Sequence, residues 1–356
     1  MPATVYPSAA PPEAVHMLCD PESGLEGAIV IHSTRRGPAA GGCRLWRYPD
    51  RSSMTGDALR LAEGMAYKNA LADLPLGGGK AVIKEPEGPY DRRALFEAFG
   101  RAVDRLDGQY VTAEDVGTNV ADMEVVRSQT RHVAGLDSAP GRPGGDPSPW
   151  TALGVLIAMR ECARRTGGRD LAGMTVAVQG LGHVGSALCG LLHRSGARLV
   201  VADVRPDATV SMRQRYGATV VGTDEILATA ADIFAPCALG GVLDERSVPV
   251  LRARIVCGAA NNVLANSETG DELAAQGVLY APDYVVNAGG IINVAAEYLG
   301  WSSADAEARV QATGARLATV FEHMDTTGAP SHRAADALAR QHIRSSPSST
   351  PVWEAA

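Results

Sequence analysis

One stretch constrains the fold of this chain more than any other. The apolar run Thr175–Val178 leads into Gly180-Leu181-Gly182-His183-Val184-Gly185. That order predicts a strand, a tight turn and a helix. The glycines permit the turn, a close approach of backbone to a bound group, and close packing of helix on strand. The helix N-terminus then offers free N–H groups to an anion. The next apolar run, Leu199-Val200-Val201-Ala202, ends at Asp203, the place where a dinucleotide-binding fold carries the carboxylate that bonds the adenosine ribose. A glycine-rich turn with a surface Asp explains fewer of these features than a nucleotide site does. Asp203 favours NAD, because a carboxylate repels the extra phosphate of NADP. Arg205 lies where it could serve such a phosphate, but reads more simply as a solvated loop charge. His183 reads as an exposed residue of the same turn.

Around this motif the pattern alternates. A helix over Thr151–Arg165 is followed by the strands MTVAVQG (174–180), ARLVVADV (197–204), DIFAPC (232–237), ARIVCG (253–258) and GVLYAP (277–282), with helices from His183 and before Gly217. Strands alternating with helices predict a parallel sheet covered by helices. An earlier block carries its own elements. GAIVIH (27–32), the run to Leu45, KAVI (80–83) and QYVTA (109–113) read as strands, and Met54–Ala72 and Arg92–Leu106 as helices. The Gly/Pro-rich SAPGRPGGDPSP (138–149) reads as a linker. Helices over 303–324 and 331–343 precede a Ser/Pro tail read as frayed, and residues 1–14 read as poorly ordered. A length of 356 residues fits two domains. The expected architecture is α/β. It pairs a Rossmann-type dinucleotide-binding domain over 150–300 with a separate α/β domain over 1–140.

Charge and cysteine usage remove other classes. A net charge of −7 argues against nucleic acid as the partner. No apolar run approaches the ~18 residues that span a membrane. The N-terminus lacks the positive region and apolar core of a secretion signal. No pair among Cys19, Cys43, Cys162, Cys189, Cys237 and Cys257 has C-x-x-C spacing, and none stands at zinc-ligand distance from a histidine. No metal is expected, and a reduced cytoplasm is the simplest home.

A nucleotide fold does not name a reaction. The first block supplies the groups that could: Gly41-Gly42, Lys68 in GMAYKNA, Lys80 in PLGGGKAVI and Asp115 in TAEDVGTN. Lysines seldom sit among apolar residues without a partner. Two such lysines and a loop carboxylate would hold a carboxylate-bearing substrate and move protons. Equally, both lysines could snorkel to water while Asp115 caps a turn.

These segments resemble the glutamate, leucine, phenylalanine and valine dehydrogenase family of amino-acid dehydrogenases. The similar runs are GPAAGG (37–42), MAYKNA (65–70), LPLGGGKAVI (74–83), TAEDVGT (112–118), TALGV (151–155), VAVQGLGHVG (176–185), FAPCALGG (234–241), GAANN (258–262) and APDYVVNAGG (281–290), in family order. The resemblance implies an active-site cleft between the two domains. It makes the first domain the one for catalysis, substrate and oligomerisation, and returns the helices of 303–343 to it. It makes Lys80 the catalytic lysine and Asp115 its acidic partner. Lys68 would bind the substrate α-carboxylate beside Gly41 and Gly42, and Asn287 would orient the substrate. Thr151 and Asn261 would touch the nicotinamide half of NAD. Gly180, Gly182, His183, Val184, Gly185, Asp203 and Ala238 complete the cofactor side.

The implied reaction is NAD-dependent, reversible oxidative deamination of an apolar L-amino acid to the 2-oxo acid, by a homo-oligomer. A water-activating lysine must release its proton near working pH, which burial and a nearby cation favour. Glutamate-specific members carry a lysine where Ala40 stands here. Ala40, Ala113, Ile291 and Val294 would line an apolar side-chain pocket, although the same residues could simply pack a core. Ala40 leaves room for an aromatic ring, whereas TAEDVGT and GGIINV resemble the leucine type. Trp150 departs from the small or β-branched residue expected before Thr151. Two rivals stand against this reading. One is a non-catalytic NAD-binding regulatory protein, which would not need Lys68, Lys80 and Asp115 together. The other is a 2-hydroxy acid dehydrogenase, which would need a histidine base in a comparably rich motif.

Overall fold

A computed structural model describes residues 10–136, 142–167, 170–238 and 240–345. The chain divides into two units. The first holds the chain to Gly145, Asn293–Ser303 and the chain from Ala339; the second holds Asp146–Ile292 and Ala304–Leu338. The first four residues of the expected linker (138–141), most of the N-terminal arm and the Ser/Pro tail beyond 345 lie outside the described residues.

The first unit is built on a mixed sheet. Strands β1 (Ala14–Asp20), β2 (Leu25–Ser33), β3 (Ala39–Ala40) and β4 (Cys43–Trp46) are followed by helix α1 (Arg51–Leu71), β5 (Gly77–Lys84), α2 (Arg92–Asp104), β6 (Tyr110–Val111) and α3 (Val120–Arg127). The path of pairing runs β1-β2-β5-β3-β6, and β4 also pairs with β5. Alternation along β2 and β5 sorts two cores. Ala28, Val30 and Val82 face Met54, Ala58 and Ala62 of α1, while Ile29, Ile31 and Ile83 pack with Leu95, Phe96 and Phe99 of α2. By the same pleat, Lys80 projects on the α1 face, in step with Gly78 and Val82.

Two differences from expectation have a clear cause. The strand expected at 80–83 begins at Gly77, so the glycine run lies inside the sheet. A Cβ on Gly78 would sit 2.2 Å from the Ala66 backbone, and one on Gly77 would sit 2.0 Å from Ser33 O. Bare backbone is what lets α1 lie directly on β5. Strand β1 and helix α3 were not anticipated. α3 spans only 8 residues, and its start is fixed by a capping box between Asn119 and Asp122.

The second unit is a doubly wound sheet. α4 (Ser148–Gly167) leads into β7 (Thr175–Gln179), α5 (His183–Arg194), β8 (Arg198–Ala202), α6 (Pro206–Tyr216), β9 (Thr219–Val220), β10 (Ile233–Pro236) and β11 (Ile255–Val256). Then come α7 (Ser267–Ala275), β12 (Leu279–Tyr280), α8 (Asp283–Val286), α9 (Gly289–Tyr298), α10 (Ser303–Gln311), α11 (Thr313–Thr327) and α12 (Ser331–Arg344), of which α9 from Asn293 and α12 from Ala339 belong with the first unit. Strand order is β12-β11-β10-β7-β8-β9 with every pair parallel. The order reverses between β7 and β10, which is where open α/β sheets bind ligands. α4 starts at Ser148, so the end of the expected linker is already helical. The helix expected over 303–324 is two helices meeting at Ala312.

The C-terminal helices do not all go one way. Residues 304–338 belong with the second unit and the chain from Ala339 with the first. Ser331 Oγ donates to Tyr280 O, whereas Arg340 donates to Tyr67 OH and stacks over its ring at 5.5 Å. Among the described residues no helix is long and apolar enough to cross a membrane.

Candidate active site

In the first unit Lys80 and Asp115 form an ion pair, with the Lys80 side chain 7% exposed and that of Asp115 19%. The local sequence explains the meeting. Between β3 and β4 the chain runs as Gly41-Gly42 alongside Gly79 and Lys80. A Cβ on Gly41 would lie 1.9 Å from Gly79 O, and one on Gly42 would lie 2.8 Å from Asp115 Cβ. Those two glycines let strand and loop close on each other. The Asp115 loop is pinned by Cys43 N–H donating to Ala113 O at 2.8 Å and Leu45 N–H to Val116 O at 3.0 Å. Thr118 Oγ1 accepts from Asp115 N–H at 2.8 Å and donates to Cys43 O at 3.0 Å.

Charge on Asp115 is strongly favoured. Burial pushes its pKa up, but Lys80 and then Arg44 overcome that, and a bond from Val116 N–H adds to them, bringing it down to about 2. A pair this buried adds little net stability, because desolvation offsets its attraction. Its presence therefore calls for another reason. Beside it, burial pushes the Cys43 thiol and the Tyr110 hydroxyl well up, so both are neutral. Tyr110 OH donates to Gly41 O at 2.5 Å, and buried Asn69 donates to Ala40 O at 3.2 Å and Gly77 O at 2.6 Å. Lys68 is half-buried on α1, two residues beyond the Ala66–Gly78 contact. Ala40 and Ala113 are buried in the same unit, 5% and 6% exposed.

Three further side chains, not singled out from the sequence, converge on Asp57 behind this pair. Arg44 donates to Asp57 Oδ2 at 3.0 Å, Tyr48 OH to the same oxygen at 2.7 Å, and Arg60 to Asp57 Oδ1 at 2.6 Å. The i, i+3 spacing of Asp57 and Arg60 was a visible signal. The approach of Arg44 to Asp115 was not.

The second unit carries the glycine turn. Gly180 has φ +96°, and a Cβ there would lie 2.7 Å from Ala238 Cβ, so the loops after β7 and β10 touch at the switch point. A Cβ on Gly185 would lie 2.0 Å from Gly180 O, which explains the last glycine of the motif. Gly182 begins α5 with no side-chain cap, and no atom lies within 4 Å of where its Cβ would be. Open space at an uncapped 12-residue helix N-terminus fits a pyrophosphate. Val184 follows in the first turn. His183 is exposed, its Nδ1 3.6 Å from Asp146 Oδ2.

Asp203 ends β8 as expected, with Leu181 N–H donating to its Oδ2 at 2.6 Å. Arg205 is exposed, its side chain 55% accessible, as a solvated loop charge would be, and it also pairs with Asp203. Its backbone N–H and Nε reach Asp203 Oδ1 at 2.8 and 3.3 Å, and its Nη2 donates to Leu181 O at 3.0 Å. Asn287 donates to Asn261 Oδ1 at 2.8 Å, while its own buried Oδ1 accepts no hydrogen bond. Thr151 Oγ1 donates to Pro147 O at 3.2 Å and lies where a Cβ on Gly290 would come within 2.9 Å of it. The Trp150 carbonyl packs against Gly289, with 2.1 Å to where a Cβ would stand. Ile291 and Val294 are half-buried neighbours on α9, Ile291 in the second unit and Val294 in the first.

Comparison with known proteins agrees with both halves. Residues 12–132 match the model of the Glu/Leu/Phe/Val dehydrogenase dimerisation domain, and residues 146–212 and 207–345 match that of the glutamate/leucine/phenylalanine/valine dehydrogenases. The chain is 45% identical to a leucine dehydrogenase of Thermoactinomyces intermedius, over 93% of this chain and 90% of that one. It is 44% identical to a valine dehydrogenase of Streptomyces albus, over 93% and 92%. The crystal structure of L-tryptophan dehydrogenase from Nostoc punctiforme superposes with TM-score 0.82 at 39% identity, over 93% and 96% of the two chains.

Proposed function

The chain belongs to the Glu/Leu/Phe/Val dehydrogenase family and is an amino-acid dehydrogenase; on that premise we infer that it carries out the NAD-dependent, reversible oxidative deamination of apolar L-amino acids. The observation that carries this reading is the buried Lys80–Asp115 pair beside the glycine-lined turn at Gly41-Gly42. Dehydrogenases of this family use a nicotinamide cofactor, and Asp203 at the end of β8 supports NAD over NADP.

The residues divide the work. Lys68 holds the substrate α-carboxylate as a fixed cation. Asp115, ionised, accepts a proton from the substrate ammonium and leaves a neutral amine. NAD, held at the glycine turn, would supply the acceptor for the hydride that leaves Cα. Lys80, once it has released its own proton to solvent, takes one from the water that attacks the resulting iminium carbon; Asp115 returns its proton to the nitrogen and takes that of the new hydroxyl, and ammonia leaves as the carbonyl forms. Asn287, with its unfilled buried acceptor, orients an N–H group of substrate or cofactor. Thr151 and Asn261 stand on the nicotinamide side, with Gly180, Gly182, His183, Val184, Gly185 and Ala238 at the phosphates. Ala40, Ala113, Ile291 and Val294 offer no charge to a substrate side chain, so a distal carboxylate would be buried unpaired. The relatives named leucine, valine and tryptophan dehydrogenases support an apolar range. The dimerisation domain named for residues 12–132 supports a homo-oligomer. Six free cysteines support a reducing compartment such as the cytoplasm.

The test is a steady-state panel of Leu, Val, Phe, Tyr, Trp and Glu with NAD and with NADP. Turnover of apolar substrates with NAD and little with Glu is the expected result. Lys80→Ala lowers kcat by about 10²–10⁴ while NAD affinity stays near wild type. A Lys80→Ala enzyme with near-normal kcat would remove Lys80 from the chemistry.

A further inference from the structure

Asp115 faces two cations, and the chemistry above uses one. Lys80 Nζ and Arg44 Nε approach the same oxygen, Oδ2, with Arg44 at 3.9 Å. The other oxygen accepts the Val116 N–H at 2.7 Å. Arg44 is anchored on its far side by Asp57, which Tyr48 and Arg60 hold in turn. The Arg44 and Asp57 side chains are 20% and 14% exposed. Arg44 Nε itself is buried and makes no hydrogen bond. Leaving such a donor unpaired is costly, and its aim at Oδ2 accounts for it.

The geometry points to Arg44 as a positioning residue that keeps Asp115 ionised and in place while Lys80 gives up its proton, so that Asp115 is free to accept the proton of the substrate ammonium. This rests on the roles given above to Lys80 and Asp115. During turnover the pair loses a positive charge, and a buried carboxylate left without a counter-charge would take up a proton. Arg44 cannot deprotonate, so it maintains a fixed charge beside Oδ2 throughout. Asp57 holds the guanidinium back, so that Arg44 does not displace Lys80. A lysine at 44 would keep the charge but could not bind Asp57 and point at Oδ2 at once.

The other groups around the pair are few. Cys43 of β4 and Tyr110 of β6 are neutral. α1 contributes Asp57 against Arg44 and, through Asp57, Arg60; Lys68 lies further along the same helix. Arg92 and Asp122 are paired with each other farther away, on α2 and α3.

The experiment is kcat/KM for deamination against pH, on the full chain, for wild type, Arg44→Gln, Arg44→Lys, Asp57→Asn and Lys80→Ala. Activity rises with pH along the limb where the pair loses its proton. Removing the Arg44 charge makes that loss harder, so the limb in Arg44→Gln moves up by about one pH unit, a tenfold loss of kcat/KM at a pH on the limb. Arg44→Lys keeps the wild-type limb with a lower kcat. Asp57→Asn removes a negative charge, so its limb stays or moves down. A purely structural role would lower kcat in all three with no opposed shift. An unmoved limb in Arg44→Gln, or an upward shift in Asp57→Asn, overturns the proposal. Should circular dichroism show Arg44→Gln unfolded, the other two variants decide, and an upward limb in either overturns it. Lys80→Ala keeps the two readings apart. Retained turnover there overturns the site itself, whereas a dead Lys80→Ala with an unmoved Arg44→Gln limb overturns only the role of Arg44.

Discussion

At Asp203 both carboxylate oxygens already have protein donors, Leu181 N–H on Oδ2 and Arg205 on Oδ1. The residue that would read the ribose also braces the glycine turn. Asp203→Ser is therefore expected to do two things. It should narrow the ratio of NAD to NADP affinity, by losing both the ribose bond and the repulsion of the phosphate. It should also lower stability by about 1–3 kcal/mol, because Leu181 N–H loses its partner. Fluorescence titration with each cofactor and urea denaturation measure the two effects, and a wild type that prefers NADP would reverse the reading. The stability term has a sign in pH. Burial raises the Asp203 pKa, but the bonds from Leu181 and Arg205 lower it overall. That contribution is present above the ordinary carboxylate range, about 4, and fades as acid protonates the group. Asp203 was legible in sequence because strand, turn and helix fix its distance from Gly180. The Arg205 and Arg44 pairings were not. Each depends on where a long side chain lies once the backbone has turned, and no local spacing records that.

Among the elements, β5 shows what periodicity misses. Three successive glycines weaken a strand by every local measure, so the sequence suggests a loop before Lys80. Packing reverses that, because only bare backbone lets Ala66 of α1 reach Gly78. Gly78→Ala should be costly, at about 3 kcal/mol or more, as overpacking against backbone. Gly64 lies on the same helix with nothing within 4 Å of its Cβ position. Gly64→Ala should instead gain about 0.5–1 kcal/mol from helix propensity. Denaturation midpoints of the two variants test the contrast, and equal effects would mean α1 does not rest on β5 as described. The second sheet was far more legible. β7 and β8 are largely buried runs joined by α5, a helix of ordinary length, so pattern and packing agree there, whereas β9 has two residues, is at most half-buried and gave no signal. α3 escaped because 8 residues give too little periodicity, although Asn119 and Asp122 had marked its start.

For the whole molecule, the C-terminus matters to the first unit. Beyond Leu338, α12 brings Arg340 to Tyr67, His342 to Ala70 O, and its own backbone to Arg36. These contacts bear on the end of α1, the helix that carries Lys68. A chain ending at Leu338 should lose about 1–3 kcal/mol, the worth of one or two bonds to charged groups. Its KM for the amino acid should rise while its Kd for NAD holds. A loss of NAD affinity as large as the change in KM would contradict that assignment. The two units also interleave along the chain. It passes from one to the other at 145/146, 292/293, 303/304 and 338/339. No single uninterrupted stretch of the gene therefore encodes either unit. A recombination event with one breakpoint would deliver fragments of both, never a finished nucleotide half or a finished lysine half. Substitutions made in place are therefore a more direct route to a new substrate range in such a lineage than exchange of whole halves, which needs several breakpoints at once.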